Sequence, residues 1–347
     1  MGFLNRLGRA NNGVAVQDRA CVGEAIERVM ALHPQLQLAR HYRKRLTPAV
    51  GTSLAYLRDL VDAVPAPREA SAAAWAVDPY VHAWFAAPDD VASTLSRAAA
   101  LRAWFDNENN QDLPAACAVM GMEMTERHIL GVRQEGDTMR RDVPQTTVSF
   151  SDHQVRICGR DDAELRNGIV ARLLDQLALE GLARTAADKS RRSALEKERA
   201  LLKTRLQLLE RQGRGIRGLI GGDVAQDLAE LERLAAQVDE NAQNLAALGL
   251  RDEAIDRELE HVRTVFAHPE RHLAVSTRRL RLNRMNVVVE GEDMQEGEEL
   301  AFRIASVPTM PPRIRAFSLI RFARTSMLPQ RKVFDEAEQL LSSGLWS

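Results

Sequence analysis

A glycine-rich segment, Gly213-Arg-Gly215-Ile-Arg-Gly218, has the spacing of a dinucleotide-binding motif, G-x-G-x-x-G. That motif requires a strand before it and a helix after it, so that backbone amides at the helix N-terminus reach the pyrophosphate. A charged segment of helical composition precedes the glycines here. We therefore interpret them as the turn between two helices, and no cofactor is predicted.

Histidine and cysteine spacing also fails to define a site. His268 and His272 lie four residues apart, which suits two metal ligands on one helical turn, but Pro269 interrupts the turn and no cysteine or carboxylate pattern completes the set. The three cysteines at positions 21, 117 and 158 fit neither a disulfide framework nor a zinc spacing. The sequence thus predicts no metal ligands and no catalytic residues, although an enzyme can assemble its site from distant residues.

Composition limits the class of protein. The 347 residues are 45% hydrophobic and 27% charged, with a formal net charge of -1, which predicts globular folding and no general affinity for nucleic acid. No apolar run approaches the ~18 residues that a transmembrane helix needs, and the N-terminus lacks the pattern of a signal peptide. Together with the scattered cysteines, these features predict a cytoplasmic protein of bacterial type without a transmembrane segment.

The clearest structural pattern is a helical hairpin between about Asp161 and Phe266. Its second arm carries apolar residues that advance by four and three in turn, which is the heptad seam of a coiled coil: Val224, Leu228, Leu231, Ala235, Val238, Ala242 and Leu245. The glycines after Gly213 interrupt the helical pattern and mark the hairpin turn.

Opposite charges on the two arms predict how they pair. Residues 184–217 contain 11 Lys or Arg against 4 Asp or Glu, whereas residues 223–260 contain 3 Arg against 11 Asp or Glu. Complementary charges beside a seam favour pairing, so the arms are expected to fold back on each other in an antiparallel sense. Pairing between two chains would use the same charges, and a homo-oligomer is the alternative.

In the segments on both sides of the hairpin, the apolar residues recur at every second position. Residues 116–158 and 279–324 alternate apolar and polar side chains and are rich in Val, Ile, Phe and Thr, which is typical of strands. A polar pair, Asp152-His153, is interpreted as a turn. We predict an α+β fold: a helical N-terminal region and a mainly antiparallel β platform, built from segments before and after a long inserted antiparallel coiled-coil hairpin.

Four segments are predicted from these changes of pattern. They are a helical N-terminal domain (1–112), a first part of the platform (113–160), the hairpin insertion (161–268), and a second part of the platform with a short C-terminal helix (269–347).

The predicted hairpin turn should be exposed to solvent, yet it carries apolar residues beside arginines. Exposed apolar residues rimmed by charge often mark a docking site, and the predicted partner-binding residues are Arg214, Ile216, Arg217, Leu219 and Ile220. The alternative is that the apolar members only cap the end of the seam.

These patterns favour a non-enzymatic cytoplasmic scaffold or adaptor that docks a partner protein through the hairpin. One alternative is a nucleic-acid-associated protein that uses the basic arm or the many strand arginines, since cationic side chains neutralise phosphates. Another is an enzyme whose active site no motif reveals.

Overall fold

The computed structural model describes residues 19–135, 138–213, 224–248, 254–289, 297–307 and 313–329. The helices are α1 (residues 19–32), α2 (Tyr42–Asp62), α3 (Ala72–Val77), α4 (Pro79–Trp84), α5 (Pro88–Ser96), α6 (Ala99–Asp106), α7 (Asp162–Gly213), α8 (Val224–Ala247) and α9 (Ala254–Ala267). The strands are β1 (Arg68–Glu69), β2 (Ala115–Glu135), β3 (Thr138–Gly159), β4 (Val275–Leu282), β5 (Glu298–Val307) and β6 (Arg313–Ala323). The predicted C-terminal helix lies outside the described residues.

The chain divides into two compact units. The first comprises Met1–Ala55 and Leu174–His272, and the second comprises Tyr56–Leu173 and Leu273–Ser347. Each unit is therefore assembled from two separate stretches of the chain. The three boundaries between the four predicted segments fall at other positions, and the segments stay predictions.

The first unit is helical in its described part. Its buried core combines one face of α1 and α2 with facing residues of α7 and α9, namely Ile26, Val29, Leu46, Val50, Leu177, Leu259, Val262 and Phe266. A buried hydrogen bond adds to this packing, because the Ser53 hydroxyl donates to the backbone carbonyl of Phe266 at 2.5 Å. Burial of apolar faces spaced by three and four residues is what stabilises these helices against each other.

The second unit contains an antiparallel sheet in the order β3-β2-β6-β5-β4, and β1 pairs in parallel with β6. The sheet curls, because the segment after β4 returns to β3. The backbone N–H of Val148 donates to the Asn286 carbonyl at 2.8 Å, and that of Val288 donates to the Thr146 carbonyl at 2.8 Å. One face of the curled sheet and helices α3 to α6 share a core that includes Trp84, Leu95, Leu101, Phe105, Met120, Phe302, Ile320 and Phe322.

The opposite sheet face carries a smaller core where α7 begins. Leu165 of α7 packs with Val64, Cys117 and Leu319. The helix starts there because the Asp161 carboxylate accepts from the Glu164 backbone N–H at 2.8 Å, while the Glu164 carboxylate accepts from the Arg160 N–H at 2.7 Å. This reciprocal arrangement satisfies backbone donors that a helix N-terminus leaves unpaired.

The α+β prediction is confirmed, with an antiparallel sheet built from segments before and after a long helical insertion. The predicted turn at Asp152-His153 is wrong, because β3 continues through both residues to Gly159. Asp152 adopts a φ of 47°, and the pairing of β2 with β3 shifts register opposite it. An irregularity of this kind absorbs a polar pair within a strand. His153 faces inward, and its ring stacks on Phe85 at 4.8 Å between centroids.

Candidate docking surface on the helical hairpin

Helices α7 and α8 pair as an antiparallel hairpin. Arg205 of α7 donates to the Glu230 carboxylate of α8 at 2.6 Å, and Asn241 of α8 donates to the Glu198 carboxylate of α7 at 3.0 Å. Lower-numbered residues of α7 thus meet higher-numbered residues of α8. The opposite charges that predicted this pairing do meet across it.

The seam of α8 differs from the predicted one at two positions. Leu234 and Asn241 are 3% and 4% exposed, whereas Ala235 is exposed and Ala242 only half-buried. Leu buries more apolar area than Ala, so a small rotation of the helix that brings Leu234 inward is favoured. The same rotation carries Asn241 into the seam, where the hydrogen bond to Glu198 compensates for part of its desolvation.

The seam therefore contains a polar layer. The Asn241 side-chain oxygen and the Arg199 Nε are buried without a hydrogen-bond partner. Such groups reduce stability, but a buried asparagine in a coiled coil also specifies the register of its helices.

At the base of the hairpin, α9 packs against α7. The Lys189 ammonium lies 2.6 Å from the Glu258 carboxylate, whose side chain is 8% exposed, and His261 lies 2.8 Å from Asp188. Gly181 permits close contact, because a Cβ there would lie 3.0 Å from the Cα of Val262. These contacts hold α7 on one side only.

The other side of α7 carries an exposed, uncharged stripe. We name it the outer face and define it by eight residues that recur at helical spacing and are all exposed: Leu179, Ala183, Ala187, Ser190, Ala194, Leu201, Thr204 and Leu208. The three leucines are 49%, 72% and 53% exposed in chain order. Lys197 is the one charged residue within the stripe. A largely uncharged stripe of this length, with exposed leucines at both ends, resembles half of a coiled-coil seam on an otherwise charged helix.

Cations border the outer face. Arg184, Arg191, Arg205 and Arg211 are exposed, but Arg205 is paired with Glu230 and Arg184 lies 3.9 Å from Glu180. Arg191 and Arg211, which have no carboxylate partner among the described residues, keep positive charge beside the outer face. Flanking charges of this kind select a partner of opposite sign.

The five predicted partner-binding residues, Arg214, Ile216, Arg217, Leu219 and Ile220, lie outside the described residues. Their docking role stays a prediction. The outer face itself was not predicted from the sequence, although the seven-residue spacing of Ala187, Ala194, Leu201 and Leu208 is a signal that could have revealed it.

The histidines near α9 contact carboxylates separately. His268 lies 3.5 Å from Glu270, and His272 lies 3.8 Å from Glu180. Burial, and next the charge of Arg184, lower the pKa of His272. Within the part of the chain that the structure describes, no three His, Cys, Asp or Glu residues form a metal-binding group.

The cysteines are free thiols in packed surroundings. Burial raises the pKa of Cys158 to about 12, and burial also raises the pKa of Cys117. Thiolates are the nucleophilic form, so neither thiol is suited to nucleophilic chemistry.

Strand arginines gather on one sheet face, as the register of the strands shows for Arg279, Arg281, Arg303, Arg315 and Arg321. Two of the five pair with carboxylates, and a third donates to a backbone carbonyl. Arg315 lies 2.6 Å from an Asp152 carboxylate oxygen, Arg321 lies 3.7 Å from Glu69, and Arg303 donates to the Ala63 carbonyl at 2.9 Å. The face is thus a weaker phosphate-binding surface than its sequence indicates.

No family model, no curated protein and no solved structure matches this chain. In the described ranges, no helix combines the length and apolar character required to cross a membrane.

Proposed function

We propose that the protein is a non-enzymatic cytoplasmic scaffold or adaptor that docks a partner protein through its helical hairpin. The observation that carries this proposal is the outer face of α7, where Leu201 and Leu208 are 72% and 53% exposed on a face without charge apart from Lys197. Exposed contiguous apolar surface that is rimmed by charge is typical of protein-docking sites. The free cysteines are consistent with a reducing compartment.

The partner element that fits the outer face is an amphipathic helix with acidic residues beside its apolar stripe. A helix laid along α7 would place its apolar side chains between Leu201 and Leu208, in the manner of coiled-coil packing. Acidic flanks would face the arginines that border the outer face. A second copy of α7 fits less well, because its own arginines would meet these cations and repel them.

The exposed area of Leu201 and Leu208 sets the expected loss of partner affinity when they are substituted. Together they expose more than one whole leucine side chain, and full burial of one contributes about 1.5–3 kcal/mol. Replacing both by glutamate also places two anions in an apolar contact. The double substitution Leu201→Glu with Leu208→Glu is therefore expected to weaken partner binding by at least tenfold.

The test is affinity purification from the native cell, followed by chemical cross-linking and mass spectrometry of the captured complex. The control is Gln243→Glu with Asn244→Glu, which adds the same charge at exposed positions of α8. A third variant, Ile216→Asp with Leu219→Asp, addresses the predicted turn.

The proposal requires a captured protein that cross-links to α7 through an acidic amphipathic helix and that only the outer-face variant loses. If the turn variant alone loses it, docking takes place at Ile216 and Leu219 rather than on the outer face. Equal capture by all variants would refute docking through the hairpin. If the protein that the outer-face variant fails to capture is only a second copy of this chain, the outer face forms a homo-oligomer, and the proposal is also overturned.

A further inference from the structure

The second unit contains a cleft that the hairpin does not use. Its volume is about 390 Å³, and it lies between the corner of α3 and α4 and the ends of β4 and β5. This volume falls within the usual range for small-molecule sites, ~300–1,000 Å³. The residues that matter for its chemistry are Trp75, His82, Asn283, Arg284, Asn286 and Glu298.

Hydrogen bonds hold the two walls of this cleft in place. His82 connects them, because its Nε2 lies 2.8 Å from the Arg284 carbonyl; its Nδ1 lies 3.2 Å from the Trp75 carbonyl, and a ring with one N–H donates to only one of these two oxygens. The Asn286 side chain donates to the Ala83 carbonyl at 2.9 Å. The cleft is therefore formed before any ligand enters, which lowers the entropic cost of binding.

The turn that follows β4 is also rigid. The Asn283 side-chain oxygen accepts from the backbone N–H groups of Met285 at 2.9 Å and Val287 at 3.0 Å. This arrangement fixes the asparagine, so that its amide nitrogen is left for another partner. Side chains held by their neighbours lose little freedom when a ligand binds.

Four polar groups of the cleft have no partner among the described residues. They are the Arg284 guanidinium, the Glu298 carboxylate, the Asn283 side-chain nitrogen and the Asn286 side-chain oxygen; Arg284 and Glu298 are both exposed. Asp78 differs, because its carboxylate is occupied by Arg68 at 2.8 Å and by the Tyr80 backbone N–H at 2.9 Å.

The unpartnered groups balance each other. Arg284 and the Asn283 nitrogen donate, whereas Glu298 and the Asn286 oxygen accept, and their charges sum to zero. A complementary ligand must carry both donors and acceptors without net charge. Hydroxyl groups do both at one atom. Trp75 adds an aromatic surface against which an apolar ring face can pack.

We infer that this cleft binds a neutral polyhydroxylated ligand of the sugar class, independently of the proposed docking on α7. Adjacent hydroxyls on the ligand donate to the Glu298 carboxylate and accept from the Arg284 guanidinium, and the C–H face of the sugar ring contacts Trp75. A zwitterion such as a free amino acid also carries no net charge, but its two full charges would lose their hydration on entry.

The test is titration of the ¹⁵N-labelled full chain by NMR, with the Trp75 indole N–H as the reporter. Its signal is assigned from a Trp75→Phe sample. The probes are the methyl glycosides of glucose, galactose and mannose, maltose, glycine and L-phenylalanine. The variants Glu298→Gln and Arg284→Gln remove one charge each at exposed positions, and Arg279→Gln is a control elsewhere on the sheet.

The inference requires at least one sugar to shift the Trp75 signal to saturation. Each cleft variant should weaken that affinity by about tenfold, since a hydrogen bond to a charged group is lost, while Arg279→Gln leaves it unchanged. The inference is overturned if an amino acid saturates the Trp75 shift and no sugar does. It is also overturned if the cleft variants bind the sugar as tightly as the unchanged protein, or if no probe shifts the signal up to its limit of solubility.

Discussion

Substituting Gly181 by alanine tests the packing of the hairpin base. An added Cβ would lie 3.0 Å from both the Cα and the Cγ2 of Val262 on α9, which is tighter than nine in ten Cβ contacts in proteins. Alanine favours a helix over glycine by about 1 kcal/mol, whereas overpacking a core costs about 1–3 kcal/mol. One of these contacts is with the Val262 backbone, which shifts less easily than the end of a flexible side chain, so the upper part of that range applies. Gly181→Ala is expected to lower the free energy of unfolding by about 1–2 kcal/mol.

A matched control exists in α1. A Cβ at Gly23 would meet nothing within 4 Å, so Gly23→Ala gains helix propensity without a clash. It should raise the free energy of unfolding by about 0.5–1 kcal/mol. The same chemical change thus has opposite signs at two glycines of one unit.

Urea unfolding followed by far-UV circular dichroism and by tryptophan fluorescence measures both variants. The tryptophans of the described chain, Trp75, Trp84 and Trp104, lie in the second unit, so the fluorescence transition should stay unchanged unless the units unfold together. The midpoint of the urea transition followed by circular dichroism should fall in Gly181→Ala and rise in Gly23→Ala. If Gly181→Ala stabilises the helices as much as Gly23→Ala does, α7 and α9 are not in close contact at this point.

Three further changes test other features. Burial lowers the pKa of His153, so the unfolded chain binds the proton more readily than the folded state as pH falls through about 6.5. The free energy of unfolding should therefore fall as pH drops from 7.5 to 5.5, and should fall less in His153→Gln. Tryptophan fluorescence in urea measures this, and identical slopes for both proteins would refute it. Asn241→Leu should stabilise the helices by about 1 kcal/mol in urea, because a buried oxygen without a partner is removed; a loss of stability would show that the polar layer is favourable. A thiol reagent in mild alkali should modify Cys21 first and reach Cys117 and Cys158 only after urea is added, and rapid modification of three thiols in the native protein would contradict the burial.

The hairpin was predictable because its pattern is long and its charges are segregated. Seven apolar positions at heptad spacing and two arms of opposite charge leave few other ways to fold. The rotation of α8 was not predictable, because Leu234 and Ala235 both fit a heptad stripe. Leu234 rather than Ala235 lies inward because leucine buries more apolar area. How much area each residue can bury depends on the helix that α8 faces.

The sheet was predictable in type but not in closure. Alternating residues on either side of the hairpin indicated antiparallel strands, and their assembly into one sheet follows from the adjacent ends of a hairpin insertion. The return of residues 286–288 to β3 rests on Asn286, which adopts a φ of 56°, and local sequence gives no sign of that pairing. The turn predicted at Asp152-His153 was wrong for a related reason, since a polar pair is compatible with both a turn and a β-bulge.

Neither proposed binding surface followed from sequence reasoning. The outer face of α7 becomes significant only when α8 and α9 are seen to leave it exposed. The cleft joins residues about 200 positions apart, such as His82 and Arg284, and such sites appear only in the folded chain.

Site-specific photo-cross-linking in the native cell tests docking on the outer face most directly. A photoreactive phenylalanine analogue replaces Leu201 or Leu208 on the outer face, and Asn244 on α8 serves as the exposed control. Docking on the outer face predicts one discrete product from both leucine positions, joined to an acidic amphipathic helix of another protein, and no such product from position 244. The same products from all three positions, or none from positions 201 and 208, would contradict it.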